Sequence, residues 1–454
     1  MASAIPQTLR EQVEQRTGCV IAAEHARGGG GASRQGAEVI LRAADGAERR
    51  CYLAWDGRAG DPSRLPYFER ETAILTALSG PFRASGVKVA PLVAAFPSHL
   101  ALLCEFVSGN DRFPQAEDKS VLAKAFVAQL AALHRLDARD PAFAALGDAA
   151  EPPAQRIRAN VAQWQRTNLA AGADPIYQAA LAWLARNVPP DRGPAVVLHG
   201  DAGPGNFLFN GSEIAALVDW ELTHLGDPME DLAQIWVRSL IQPFVPMADV
   251  FAAYEAASGQ PVELARVKYH RLYFQLSFSV PSTALASAEG SSVGATGTGL
   301  LFGTMHKRVI VRSVAELAGI AVTDPELPGC EPDWTDRFFA TALADLRDDI
   351  VPAAGNQRAS AKAKELARLV KFWRMRASHG ATFDTAELAE IRALMPSAPD
   401  NLKGARAALA EAIAADAVDF AAAVQLCHNR VVRETAIMAD AMGGLATTWY
   451  EDLD

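Results

Sequence analysis

Apolar residues recur along this chain with two periods, and the change from one to the other marks its organisation. Before residue 109 the shorter period dominates. Glu38–Ala43 alternates as a strand, Ala44-Asp45-Gly46-Ala47 is a turn, and Arg49–Trp55 returns as its partner. Val87–Ala95 and Leu100–Phe106 bracket Phe96-Pro97-Ser98-His99 as a second hairpin, and Cys19–Ala26 is a further strand leading into Gly28–Gly31. Pro6–Thr17, with Leu9 and Val13 four apart, and Phe68–Leu78, with Ile74, Leu75 and Leu78 on one side, carry the longer helical period.

Past that point the helical period takes over. Val121–Leu136 buries Phe126, Val127, Leu130 and Leu133, and Ala154–Asn168 and Pro175–Asn187 turn Trp164 and Trp183 inward. Leu232–Leu240, Val262–Phe278 and Thr296–Leu317 follow. Val322–Asp333, with three prolines and a glycine, reads as a linker. Beyond it Leu366, Leu369, Val370 and Trp373 share a helix face, and Asp384 with Glu387 forms a capping-box pattern that predicts a fresh helix start before Leu388–Leu394. Asn401–Ala439 carries two more helical stretches.

One stretch of the helical half breaks this pattern, His199–Asp231. Ala195–Leu198 is a short apolar strand that delivers His199 and Asp201 at its end, and Gly203, Pro204 and Gly205 force a tight loop. Phe207–Phe209 and Ile214–Val218 flank Asn210-Gly211, a strong hairpin signal, and the return strand ends at Asp219. The hairpin brings its ends together, so Asp201 and Asn206 face Asp219 across one cleft. Two carboxylates and an amide oxygen suit Mg²⁺ with a phosphate chain. Phosphoryl transfer asks for little more: metal ions, an acceptor for the hydroxyl proton, and positioning.

These residues resemble those of the aminoglycoside phosphotransferase family of small-molecule kinases. The family's HGDxxxxN loop matches His199-Gly200-Asp201 and Asn206, its second metal aspartate matches Asp219, and its downstream pattern matches Gly226-Asp227-Pro228 and Asp231-Leu232-Ala233. The Gly30–Arg34 loop and the Asp219-Trp220-Glu221 variant look closest to the kinase domains associated with acyl-CoA dehydrogenases. The resemblance implies an α/β (α+β) bilobal protein-kinase-like fold: a nucleotide-binding lobe over 1–108 with a small antiparallel sheet, and a helical lobe over 109–322 with the catalytic loop, metal site and acceptor pocket. A helical accessory domain over 333–454 would be appended, serving self-association as a homodimer or covering the acceptor as a lid.

The resemblance also implies roles. Asp201 would orient the hydroxyl and accept its proton, and Asn206 and Asp219 would hold Mg²⁺. The glycine run fits either a flexible hairpin tip or a phosphate cradle. The resemblance favours the cradle, with Gly30, Gly31 and Ser33 on the phosphates of ATP or GTP. Cys104–Gly109 resembles the hinge whose backbone, around Glu105 and Val107, reads the base. Glu71 takes the place of the helix glutamate. One position departs from the pattern: the strand residue that should be basic is Ala54, for which Arg50 and Arg58 are candidate substitutes. His134, Asp227 and Asp231 read as scaffold.

Composition narrows the partners. The chain has 53 acidic and 43 basic residues, a formal charge of −10, which argues against nucleic acid. Cys19, Cys51, Cys104, Cys330 and Cys427 are scattered and form no CxxC, so neither a disulfide framework nor a zinc site is expected. With no apolar run long enough to span a membrane, a cytoplasmic enzyme is expected. In the acceptor region Arg266, Lys268, Arg271, Lys307, Arg308 and Arg312 outnumber Glu263, Glu289 and Glu316. That sign is wrong for a polycationic antibiotic and suits an anionic acceptor, in agreement with the hydroxyacyl-CoA that the resemblance to kinase domains associated with acyl-CoA dehydrogenases implies. Antibiotic or sugar phosphorylation, and a pseudokinase that binds nucleotide or a partner without transfer, are the alternatives.

Overall fold

A computed structural model describes residues 5–26, 34–288, 291–292, 294–329 and 334–453. In chain order the elements are α1 (Gln7–Thr17), β1 (Val20–Ala26), β2 (Gln35–Arg42), β3 (Glu48–Trp55), α2 (Leu65–Ser79), β4 (Leu92–Phe96), β5 (Ala101–Glu105), α3 (Lys119–His134), α4 (Pro153–Ala170) and α5 (Pro175–Arg186). There follow β6 (Val196–Leu198), β7 (Phe207–Asn210), β8 (Glu213–Leu217), β9 (His224–Gly226), α6 (Met229–Ser239), α7 (Met247–Ser258), α8 (Leu264–Ser287) and α9 (Gly297–Ala318). The last helices are α10 (Asp336–Asp345), α11 (Gln357–Leu394), α12 (Leu402–Ala414) and α13 (Phe420–Met442). This is a kinase-like fold, with an antiparallel sheet near the N-terminus, a helical remainder and an all-helical C-terminal region.

Packing divides the chain into two compact units, Met1–Pro153 with Asp191–Val267 and Tyr450–Asp454, and Ala154–Pro190 with Lys268–Trp449. The first unit holds a five-stranded antiparallel sheet in the order β1-β2-β3-β5-β4. Its alternation sends Val39, Leu41, Cys51, Leu53 and Trp55 to one face, where Leu9 and Val13 of α1 close the core. Each such aliphatic side chain contributes about 1.5–3 kcal/mol by leaving water. In α2 the buried stripe of Phe68, Ile74, Leu75 and Leu78 also carries a carboxylate, Glu71. The catalytic stretch forms two small ladders, β6 with β9 and β7 with β8. Phe207 of β7 stacks on Phe126 of α3 at 4.5 Å, which fixes the hairpin on the helical floor.

In the second unit α4, α5, α8, α9, α12, α13 and the end of α11 share one core, including Ile176, Leu181, Leu272, Leu276, Ile310, Val314, Leu409 and Val431. The packing therefore groups α5 and α9 with the C-terminal helices, whereas the sequence division puts them in the lobe over 109–322. The capping-box expectation does not hold. α11 is continuous through Asp384 and Glu387. Asp384 pairs with Arg376, and Glu387 pairs with Arg406 at 2.5 Å, so both carboxylates serve side-chain pairs inside a helix. No helix among the described residues is long and apolar enough to cross a membrane.

Candidate active site

The β6 strand ends at Leu198, and the next residues turn sharply under the control of Asp231. Its carboxylate accepts the His199 amide at 2.9 Å and the Gly200 amide at 3.0 Å, and His134 Nε2 lies 2.9 Å away. Burial opposes ionisation of Asp231, but its bonds to His134 and to the His199 amide hold it below the usual carboxylate range. Gly200 has φ +85°, and a Cβ there would meet the Leu222 carbonyl at 1.9 Å, so only glycine fits. The buried His199 ring links this loop to the next strand. Its Nε2 lies 3.0 Å from the Val218 carbonyl, and its Nδ1 accepts the Asp201 amide at 3.3 Å. Burial lowers its pKa, so the ring is the neutral Nε2–H tautomer.

Asp201 emerges from that turn into a polar network. Asn206 Nδ2 donates to both the Asp201 carbonyl and its carboxylate Oδ2, each at 2.7 Å. Arg238, near the end of α6, donates to both Asp201 oxygens at 2.7 Å, to the Pro204 carbonyl at 3.1 Å and to Asn206 Oδ1 at 3.3 Å. A Cβ on Gly203 would meet Arg238 Cδ at 2.7 Å, so the glycine loop makes room for this arginine. Asp219 follows β8 in the left-handed region, at φ 65° and ψ 59°. Strain of that kind persists where surrounding structure over-determines it.

Asn206 and Asp219 line a cavity of about 400 Å³ with Arg34, Tyr52, Ala54, Glu71, Leu102, Phe106 and Val107 among its other walls. That is ligand-pocket size. Glu71 is buried and ion-paired with Arg34. Burial raises the Glu71 pKa, and Arg34 opposes that rise. Asp219 is pushed up to about 7, first by burial and then by the carboxylates of Glu221, Asp201 and Glu71. A carboxylate crowded by like charges is one that a divalent cation would relieve. Among the described residues no group of three or more His, Cys, Asp or Glu is arranged to hold a metal ion. One carboxylate and one amide oxygen are hard oxygen donors of the kind Mg²⁺ takes, with water and substrate phosphates as its other ligands.

The fold brings Glu71, Glu105, Val107, Asn206 and Asp219 to the cavity wall. Asp201 joins them through Asn206. The Glu105 amide is taken by the Pro91 carbonyl at 2.8 Å and the Phe106 amide by the Arg50 carbonyl at 3.1 Å. The Val107 amide enters no backbone bond among the described residues. Gly30, Gly31 and Ser33 lie outside the described residues. Of the two cations considered for Ala54, Arg50 bonds Glu38 at 2.6 Å and lies over the Phe106 ring, while Arg58 bonds Asp56 at 3.2 Å.

The basic residues from which an anionic acceptor was inferred are engaged within the fold. Arg266 pairs with Asp227 at 2.5 Å, Arg271 and Lys268 with Glu316 at 2.6 and 3.1 Å, and Lys307 with Asp174 at 2.9 Å. Arg308 donates to the Leu445 and Thr448 carbonyls, and Arg312 lies over the Trp449 ring at 4.1 Å. An excess of basic side chains in sequence is thus spent on burying helices together, and it carries no argument about the acceptor.

Sequence reasoning passed over two residues. Arg238 sits in no local motif, and the only hint of it is the small Gly203 and Gly205 beside Asp201, which leave space for a long side chain from elsewhere. Arg34 appeared only as the end of a loop pattern.

Acyl-CoA dehydrogenase family member 11 of Pongo abelii is 31% identical over 147 residues, covering 32% of this chain and 18% of that protein. The protein of the same name from Gallus gallus is 36% identical over 108 residues, 23% of this chain and 13% of that one. This chain thus spans less than a fifth of the length of the curated relatives it matches. Among solved structures, a protein assigned to the aminoglycoside phosphotransferases from Ralstonia eutropha superposes with a TM-score of 0.52 at 16% identity, covering 69% of this chain and 98% of its own, a likeness of fold. The model of the phosphotransferase enzyme family (APH) matches residues 39–269, just over half of the chain, and the chain belongs to that family.

Proposed function

We propose that this protein is a nucleotide-dependent O-phosphotransferase acting on a hydroxyl of a small molecule, with Asp201 at the acceptor and Asn206 and Asp219 at the metal. The observation that carries the reading is the cavity itself: Asn206, Asp219, Glu71 and the hinge residues Glu105 and Val107 line one cavity, and Asp201 is bonded to Asn206.

Bound Mg²⁺ would neutralise charge on the phosphate chain between donor and acceptor. The rest is work for the chain's own side chains. Arg238 and Asn206 hold the Asp201 carboxylate in one orientation. Oδ2 accepts from both Asn206 and Arg238, whereas Oδ1 accepts from Arg238, so the second lone pair of Oδ1 can accept a hydrogen bond from the incoming hydroxyl and take its proton as the new oxygen–phosphorus bond forms and the bond from phosphorus to the departing nucleoside diphosphate breaks. His199 couples the Asp201 turn to the strand that presents Asp219. The Val107 amide would meet the base of ATP or GTP.

The acceptor we favour is a hydroxyacyl-CoA. Its support is the likeness of the Gly30–Arg34 and Asp219–Glu221 segments to kinase domains associated with acyl-CoA dehydrogenases, and the relatives that carry that name.

The test is calorimetric titration of the protein with ATP and GTP, with and without Mg²⁺, beside Asp219→Asn, followed by a search for phosphorylated product with hydroxyacyl-CoA and with simple alcohols. Binding that needs both Mg²⁺ and Asp219 is expected. Absence of nucleotide binding at millimolar concentration would refute the phosphotransferase reading. Turnover with other alcohols but not with hydroxyacyl-CoA would remove the acceptor.

A further inference from the structure

Ala54 leaves the nucleotide site without the strand cation that pairs with the helix glutamate in a kinase. Glu71 is nevertheless buried, at 6% exposure, on the apolar stripe of α2. A buried carboxylate needs a partner, and it has one. Arg34, immediately before β2, forms the ion pair, with side-chain exposures of 13% for the arginine and 8% for the glutamate. Resting on the phosphotransferase reading above, we infer that Arg34 is the phosphate-binding cation of this enzyme, supplied from the start of β2 in place of β3.

The sheet register explains how one arginine reaches the place of a residue on another strand. Gly36 of β2 lies directly opposite Ala54 of β3. Arg34 is two residues before Gly36, so it lies diagonally across from Ala54 on the same face of the sheet. Such diagonal neighbours stand about 7–8 Å apart, well within the length of an arginine side chain. Arg34, Ala54, Glu71, Asn206 and Asp219 all line the same cavity. The methyl group of Ala54 is small enough to leave that reach open.

The chemistry of arginine suits a double duty. A lysine ammonium is a point charge, whereas a guanidinium carries five donors in a planar fork. Arg34 can hold Glu71 with one edge and still offer donors to the non-bridging oxygens of a nucleoside di- or triphosphate. The other two cations considered are spent elsewhere, Arg50 on Glu38 and Arg58 on Asp56.

The experiment is a transplantation. Arg34→Ala, Ala54→Lys and the double variant Arg34→Ala/Ala54→Lys are titrated with Mg²⁺-ATP and Mg²⁺-GTP, and nucleotide turnover and thermal unfolding are followed in parallel. Loss of one charge-assisted phosphate contact should weaken nucleotide binding by about tenfold to a hundredfold in Arg34→Ala. The double variant should recover about tenfold of that, because a lysine at 54 restores a cation facing Glu71 from β3. Wild-type affinity and turnover in a folded Arg34→Ala would overturn the assignment. So would a loss that Ala54→Lys does not repair, since it would confine Arg34 to holding Glu71 and α2. Failure of the wild-type protein itself to bind nucleotide is a different result, and it falls on the phosphotransferase reading.

Discussion

Two clusters of charge invite comparison, the cleft around Asp219, which opens to solvent, and the more enclosed network around Asp174. Asp174 accepts the Ile176 amide at 3.0 Å at the start of α5, and pairs with Lys307 of α9 and Arg430 of α13, each at 2.9 Å. Arg430 also bonds Glu434 at 2.7 Å and approaches Glu387, which Arg406 holds. Burial penalises the charge of Asp174, yet Arg430 and Lys307 keep it well below the usual carboxylate range. In the cleft the same penalty is reinforced by Glu221, Asp201 and Glu71, and Asp219 is pushed up to about 7. The residue types are the same and the shifts have opposite sign. A balanced network is complete as it stands, whereas crowded carboxylates gain from any cation that binds among them.

The comparison breaks most sharply at Arg430. Replacing it with Met leaves Asp174, Glu434 and Glu387 short of positive charge in a buried setting. A loss of about 3–5 kcal/mol of unfolding free energy is expected, the cost of removing one partner of a buried ion pair. Chemical denaturation measures it, and Arg430→Lys, which keeps the charge but not the fork, should retain part of the loss. A change below about 1 kcal/mol in Arg430→Met would show that this network is solvated and that its balance of charge is not what sets it apart from the cleft.

What the sequence disclosed follows the same divide between local and distant. The hairpin from His199 to Asp219 was legible because its chemistry is contiguous: glycines force the turn, Asn210-Gly211 closes it, and Asp201, Asn206 and Asp219 are delivered together. The strands of the five-stranded sheet were legible from alternation. β9 was not, because His224–Gly226 is too short to show a period. Nor were the ion pairs Arg34–Glu71 and Arg238–Asp201, which join side chains from separate elements and depend on register and packing. The capping-box pattern at Asp384 and Glu387 misled for a related reason. The spacing of three that places an acid over a helix start also places two acids on one face of a continuous helix, and nothing before Asp384 stops α11. The same distance dependence explains the basic residues from Arg266 to Arg312, whose partners lie on other helices or on the C-terminal segment.

A half-buried group with no countercharge sharpens the contrast in a graded way. His306 of α9 lies against the Phe278 ring at 4.9 Å, and its Nδ1 is 2.8 Å from Gln275 Oε1. Burial alone pushes it down to about 4. Its folded pKa is below the unfolded value of about 6.5, so the unfolded chain binds the extra proton between those values. The stability that neutral His306 contributes is therefore whole above about pH 6.5 and is lost as pH falls toward 4. A decline of about 3 kcal/mol across that window is the most this residue can supply. Urea midpoints from pH 7.5 to 4.5 should fall less steeply in His306→Gln than in wild type, and equal slopes would assign the decline to other groups.

The smallest expected effect is the one whose sign matters most. In ligand-free buffer at pH 8 without divalent cations, Asp219 is a carboxylate held against Glu221, Asp201 and Glu71. Asp219→Asn keeps the shape of the side chain, and Asn tolerates the left-handed backbone there as well as Asp does. Asp219 is exposed, so solvent screens this repulsion, and removing the charge should stabilise the protein by no more than about 1 kcal/mol, the trade seen where a site keeps a strained charge for its function. Adding Mg²⁺ and nucleotide should reverse the order. A ligand that binds only the folded state raises wild-type stability by mass action, and the variant, which has lost the metal carboxylate, gains little. Crossing of the two unfolding midpoints on addition of ligand is thus the signature of a carboxylate retained for a cation. A ligand-free Asp219→Asn that unfolds earlier than wild type would instead place Asp219 with Asp174, as a charge the fold itself requires.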